Sequence, residues 1–190
     1  MSTVPLGDDP LRDGPTTDDP TCGVAHGHRP AGPAADRVLV AVFGSPVAAA
    51  LLRLAADCGY RPVLVEPEPG HEVAGLPPGT VRVGGVPAVP DDLAAGADVV
   101  VCDHHREELG EVLRDALRRP ARWIGVMGNP HHEGPHIAAL TALGVPDGDI
   151  ARVHRPIGLN IGSRAPAEIA VSTLAGLLAD RNGRPGGFAF

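Results

Sequence analysis

Gly158, Asn160, Gly162, Ser163 and Arg164 stand close together in the run Pro156-Ile157-Gly158-Leu159-Asn160-Ile161-Gly162-Ser163-Arg164-Ala165-Pro166, directly ahead of a helical pattern. The glycines can adopt positive φ or let a ligand approach the main chain, and Pro166 suits the first helical position, where no N–H is required. Glu168, Ile169, Ala170, Val171, Leu174, Leu177 and Leu178 then recur at near 3.6-residue spacing, which predicts a helix with one buried stripe. Loop amides, the positive end of that helix and the fork of Arg164 together suit an anion or the phosphate of a cofactor. Arg164 also has a second role open to it, an ion pair with Glu168. The loop itself has the plainer alternative of turning the chain.

A second candidate is Glu66. An acid at the end of the second strand accepts from a ribose hydroxyl in dinucleotide sites, where a G-x-G-x-x-G turn after the first strand lets the pyrophosphate approach. Here that turn reads Gly44-Ser45-Pro46-Val47-Ala48-Ala49. Pro46 removes a donor and larger residues stand where glycines are expected, so weak or no NAD(P) binding is predicted, and Glu66 has the alternative of facing water. His132-Glu133-Gly134-Pro135-His136 has the H-E-x-x-H spacing of zinc peptidases, but Pro135 is better placed to start a helix than to sit inside one. His132 then falls outside the helix and the two rings need not converge. A looser metal site from His104, His105, His131 and His132, or a polar rim, is the alternative.

These residues need a scaffold, and the apolar runs supply one. Residues 38–43, 61–66, 81–83, 97–102 and 122–128 read as strands, with a short further strand near 150–153. Helical windows at 47–58, 107–118 and 136–143 alternate with them, followed by the helix from Pro166. This order predicts an α/β fold: one Rossmann-like, doubly wound, mostly parallel sheet with helices on both faces. Ligands of such sheets bind beyond the carboxyl ends of the strands. Those ends are Gly44-Ser45, Glu66, Cys102-Asp103-His104-His105 and Gly128-Asn129-Pro130-His131-His132, with the 160–164 loop as a wall or lid.

Composition narrows the chemistry. All 16 basic residues are arginine, so no lysine exists for a Walker motif, a Schiff base or a Ser–Lys dyad. A net charge of −7, with one Trp, one Tyr and three Phe, opposes nucleic-acid binding. Cys22, Cys58 and Cys102 are widely spaced and form no C-x-x-C, which disfavours a disulfide framework or a zinc knuckle. Residues 1–36 are rich in Pro, Gly and Asp and poor in large apolar side chains, and are expected to be a disordered tail. The domain is expected over 37–183, with a short tail at 184–190. No apolar run reaches membrane-spanning length and residues 1–20 lack the core of a secretion signal, so a cytoplasmic protein is expected.

Taken together, Trp123-Ile124-Gly125-Val126-Met127-Gly128-Asn129, the segment 154–172 and the closing Arg181-Asn182-Gly183 resemble the C-terminal domain of the XdhC/CoxI family, accessory proteins of xanthine dehydrogenase and related molybdenum hydroxylases. The family writes the long segment roughly as PIGLDIGARTPEEIAVS, and the resemblance spans about residues 37–183. It implies a domain that binds molybdenum cofactor (molybdopterin) and assists its insertion. It also implies a homodimer that meets molybdenum hydroxylase subunits and a sulfurtransferase; partnership with membrane or nucleic acid is not expected, on the composition given above. The pocket it implies comprises Gly44, Ser45, Glu66, His104, Gly128, Asn129, Gly158, Asn160, Gly162, Ser163 and Arg164, with NAD(P) as the alternative cofactor and no catalytic or metal-binding residue assigned. This chain departs from the family pattern at Gly44-Ser45-Pro46, at Asn129-Pro130-His131 in place of Ser-Arg-Arg, and at Asn160 in place of aspartate. No counterpart of the family's N-terminal domain is read. A divergent interaction module that has lost its ligand is the remaining alternative.

Overall fold

The computed structural model describes residues 37–128 and 134–187. The 1–36 segment expected to be a tail lies outside these residues, as do Asn129, His131 and His132. Six strands form one parallel sheet in the order β3-β2-β1-β4-β5-β6. They are β1 (Val38–Val42), β2 (Arg61–Val65), β3 (Val81–Val83), β4 (Asp98–Val101), β5 (Trp123–Val126) and β6 (Val153–His154). The helices are α1 (Pro46–Asp57), α2 (Asp91–Ala94), α3 (Leu109–Leu117), α4 (Pro135–Ala142), α5 (Asp147–Ile150) and α6 (Pro166–Arg181).

Every residue of β1 and β4 is buried, because these central strands are covered on both faces. Val38, Val40 and Val42 point into a core completed by α3, Leu140 of α4 and Ile150. Leu39 and Ala41 point the other way, onto α1 and α6, which lie side by side. The order of strands reverses between β1 and β4, so their carboxyl ends open the crevice that such folds use for ligands. This is the Rossmann arrangement expected from the sequence.

Element ends differ from the sequence reading by small amounts, and two differences have local causes. Ile150 was expected to begin a strand but ends α5. Pro146 caps that turn, and Asp147 and Asp149 favour its positive end, so the strand starts later at Val153. α2 follows Pro90 with Asp91 and Asp92 in its first turn, a signal too short to register as periodicity. β6 is fixed by packing as well as by its ladder. The Trp123 ring stacks on His154 at 5.1 Å, and a Cβ on Gly125 would strike that indole and stand 2.8 Å from Ile157.

At the opposite, amino end of the sheet Asp98 is fully buried between Arg122 Nε at 2.6 Å and Arg181 Nε at 2.7 Å. Arg122 also reaches Asp180 at 2.6 Å, so the end of α6 is tied to β4 and β5. No helix among the described residues is long and apolar enough to cross a membrane.

Candidate functional site

The chain leaves β1 through Phe43, a buried non-glycine residue at φ 70°, a conformation that costs on the order of 1 kcal/mol or more. Gly44 follows, and Ser45 caps α1 by accepting from the Ala48 N–H at 3.1 Å, with Pro46 opening the helix. Gly44 and Glu66 meet as neighbours. The Glu66 carboxylate accepts from the Gly44 N–H at 2.6 Å and from the Glu68 N–H at 2.9 Å. Glu66 is buried, so its alternative of facing water is not taken.

The space over this turn is also filled. A Cβ on Gly44 would collide with Val73 Cγ2 and stand 3.0 Å from Glu66 and 3.2 Å from His71. In a dinucleotide site that face of the turn receives the pyrophosphate. Here the connection between β2 and β3 lies on it, held in part by Arg53, which donates to the Gly75 carbonyl at 2.6 Å.

Arg106 completes this wall and was not picked out from the sequence. Its guanidinium lies 5.0 Å over the Phe43 ring and pairs with Glu108 at 3.0 Å, Glu66 at 3.3 Å and Glu68 at 3.5 Å. Nothing local marks an arginine for partners 40 residues away. Three carboxylates engage this cation.

The end of β4 presents His104 beside His105, ring centroids 4.0 Å apart, with the His105 N–H donating to Asp103 at 2.9 Å. Burial pushes the His104 imidazole toward its neutral form, and His105 and Arg155 add to that effect against Asp103. Burial, with a smaller contribution from Asp103, pushes the Cys102 thiol up to about 12, so it is not a nucleophile near neutral pH. Among the described residues no three His, Cys, Asp or Glu side chains gather to hold a metal ion. The metal arrangement considered above draws on His131 and His132, outside those residues.

At the end of β5, Gly128 faces the guanidinium of Arg155, another residue the sequence reading did not assign to the site. The useful signal was positional: Arg155 directly follows β6, whose neighbour is β5.

The glycine loop divides into a docked half and an exposed half. Gly158, at φ 82°, lies against Ser172 and Thr173 of α6, and Leu159 exchanges hydrogen bonds with Ser172. A side chain at 158 would strike that helix, so packing alone requires this glycine. Asn160, Ile161 and Gly162 are exposed, and Gly162, at φ 67°, has open space where a Cβ would be. Ser163 hydrogen-bonds Glu168 and accepts from the Ala165 N–H at 3.0 Å. Arg164 is exposed and forms no ion pair among the described residues, Glu168 being engaged by Ser163 instead. Among those residues, no hydrogen bond joins 160–164 to the Gly44–Glu66 pair.

Known proteins place this architecture. Over 77 residues the chain is 38% identical to the protein YqeB of Escherichia coli (strain K12), a stretch that is 40% of this chain and 14% of YqeB. Its fold matches that of a crystal structure described as a xanthine dehydrogenase from Bacillus halodurans with a TM-score of 0.59 at 24% identity, covering 77% of this chain and 45% of that one. The chain thus spans less than half the length of either protein. A model of the XdhC Rossmann domain matches residues 39–177, from β1 into the last helix, and this chain belongs to the XdhC Rossmann-domain family.

Proposed function

We propose that this protein is an accessory factor for a molybdenum hydroxylase of the xanthine or carbon monoxide dehydrogenase type, binding molybdenum cofactor and assisting its insertion. Family membership supports the accessory role. The observation that favours molybdopterin over NAD(P) is the closed turn at Gly44, whose N–H is held by Glu66 and whose open face is covered by Val73 and His71. An oxidoreductase using NAD(P) needs that face, and the only tyrosine, Tyr60, is buried in the core rather than offered as a proton donor.

The donor set suits a phosphorylated ligand. The Gly162-Ser163-Arg164 run just ahead of α6, with Gly162 and Arg164 exposed, offers amides and a planar cation, and Gly128 and His104 stand at strand ends of the sheet. When bound, molybdopterin would supply the dithiolene and the metal that the hydroxylase uses. The residues of this chain would grip the phosphate and pterin, and none is assigned a catalytic role. On this reading the partners are the hydroxylase subunits and a sulfurtransferase, met by a homodimer in the cytoplasm.

Pterin and metal analysis of freshly purified protein, run beside calorimetry with NAD and NADP, tests the proposal. Copurifying molybdopterin with two blank titrations is the expected result. Tight nucleotide binding without pterin would overturn it.

A further inference from the structure

A groove of about 120 Å³ lies between the end of α3 and the turn that joins α4 to α5. Its apolar lining is Leu117, Leu143, Val145 and Pro146, and Arg114, Arg118 and Asp149 stand around it. These residues lead into the starts of β5 and β6, so the groove lies toward the amino end of the sheet, away from the carboxyl-end crevice. An apolar cavity of about 150 Å³ takes up a benzene molecule, so this volume admits one aliphatic side chain.

The wall on the α4 side is fixed before any partner arrives. Gly144, at φ 70°, donates to the Thr141 carbonyl at 3.0 Å, and the Val145 N–H donates to the Leu140 carbonyl at 3.1 Å, which closes the helix and holds Val145 in place. Leu143 lies against the buried Gly110, where a Cβ would stand 3.1 Å from its Cδ1, yet Leu143 is 39% exposed. Pro146 then caps α5. Such a wall has little conformational freedom to lose on binding.

The charges around the groove do not balance. Asp115 holds Arg114 through Nε at 3.2 Å and Nη2 at 3.1 Å, and Asp149 pairs with Arg152 at 3.0 Å. Arg118, exposed at the end of α3, meets no carboxylate among the described residues. The charged groups of the lining, with these partners, therefore carry one surplus positive charge on a chain whose net charge is −7.

We infer that this groove docks a short segment of a partner protein that presents one leucine-sized apolar side chain beside a carboxylate. The side chain enters between Leu117, Leu143 and Val145, and the carboxylate meets Arg118. A second copy of this chain is a poor occupant, because a two-fold contact through the groove would bring Arg118 toward its own counterpart. The surface does not depend on which cofactor the carboxyl-end crevice takes.

The test selects from a random heptapeptide library with the full chain and then measures the most enriched peptide, synthesised with a fluorescein label, by anisotropy. Enrichment of sequences with Leu, Ile or Phe next to Asp or Glu is expected, with an affinity that falls as salt rises. Arg118→Glu is expected to weaken the labelled peptide at least about tenfold, and Arg118→Lys by less than about threefold, because the contact needs a charge rather than a fork. Leu143→Asp removes apolar wall and sets a like charge against the peptide, and should also weaken it at least about tenfold. Both positions are exposed, so these variants keep the fold, which thermal unfolding checks. No enrichment above a protein-free background, enriched peptides without an acid, or binding unchanged by Arg118→Glu and Leu143→Asp overturns the docking surface. Self-association of the full chain that Leu143→Asp abolishes, read by sedimentation, assigns the groove to a second copy and overturns it as well.

Discussion

Gly158 and Gly176 meet backbone to backbone, so close that a Cβ on Gly176 would stand 3.0 Å from the Gly158 Cα. This contact docks the first half of the glycine loop on α6 and leaves the second half outside. It separates two glycines with like conformations. Gly158→Ala must hold φ 82° and meet the Thr173 N at 3.0 Å, and is expected to cost about 2–4 kcal/mol. Gly162→Ala holds φ 67° in open space and is expected to cost about 1–2 kcal/mol. Urea unfolding of the two variants measures the gap, and equal losses would contradict the docking. Reduced molybdopterin retention in Gly162→Ala beyond its stability loss would place that glycine against the ligand.

Glu66 invites a different substitution. In a dinucleotide site its loss weakens nucleotide binding, whereas here its carboxylate organises Gly44, Glu68 and Arg106. Glu66→Ala is expected to cost about 1–3 kcal/mol by orphaning the two N–H groups. NAD and NADP titrations should be blank before and after the change. A nucleotide signal in the wild type that Glu66→Ala removes would reverse the reading.

What the sequence disclosed follows from the range of the forces involved. Strands buried on both faces are continuous apolar runs, so β1, β2 and β4 could be read from their Val- and Leu-rich runs and β5 from Trp123-Ile124-Gly125-Val126, and the crevice followed from their order. Gly44 and Glu66 were recognisable as neighbours because both end adjacent strands. The pairing of their N–H and carboxylate was not, since nothing local says that a strand-end acid turns inward. Arg106 reaches Glu66 across 40 residues and Arg181 reaches Asp98 across 83, and such pairs leave no periodic trace. Arg164 was legible as a cation in a glycine loop, whereas Arg155, packed over Gly128, needed the fold to bring β6 beside β5.

The buried Asp98 tests the amino end of the sheet. Its two oxygens take Arg122 and Arg181 separately, so neither arginine can cover for the other. Asp98→Ala is expected to cost about 3–5 kcal/mol, since it leaves two partly buried guanidinium groups facing one another. Arg181→Ala should cost less, because Arg122 stays paired with both Asp98 and Asp180. Thermal unfolding of the three proteins gives the order, and an Asp98→Ala protein as stable as Arg181→Ala would argue against a shared carboxylate.

The two histidines facing Arg155 make stability acid-sensitive. Unfolded, His104 and His136 take up protons near the ordinary value of 6.5, whereas burial, with Arg155 adding to it, holds both below that value in the fold. The unfolded chain therefore binds more protons, and stability present above 6.5 is lost as the pH falls below it. His104→Asn combined with His136→Asn should flatten the decline measured by urea unfolding between about pH 7 and pH 5. A decline as steep as that of the wild type would assign the acid sensitivity to other groups.

Cys102 gives the complementary alkaline prediction. Burial, with Asp103 as a smaller cause, pushes its thiol up to about 12 from an ordinary 9.0, and the Sγ–H donates to the Val100 carbonyl at 3.7 Å. The unfolded chain releases this proton first as pH rises, so the stability contributed below 9 is lost progressively between 9 and about 12. Cys102→Ser, a smaller side chain whose hydroxyl does not titrate in that range, should lower stability at neutral pH yet weaken the alkaline decline. Reactivity follows the same logic, because the attacking species is the thiolate. Iodoacetamide at pH 8 should label the exposed Cys58 and spare Cys102 until denaturant is added, as read by peptide mass mapping. Labelling of both at equal rates in the native protein would mean that the end of β4 opens to solvent far more readily than its packing allows.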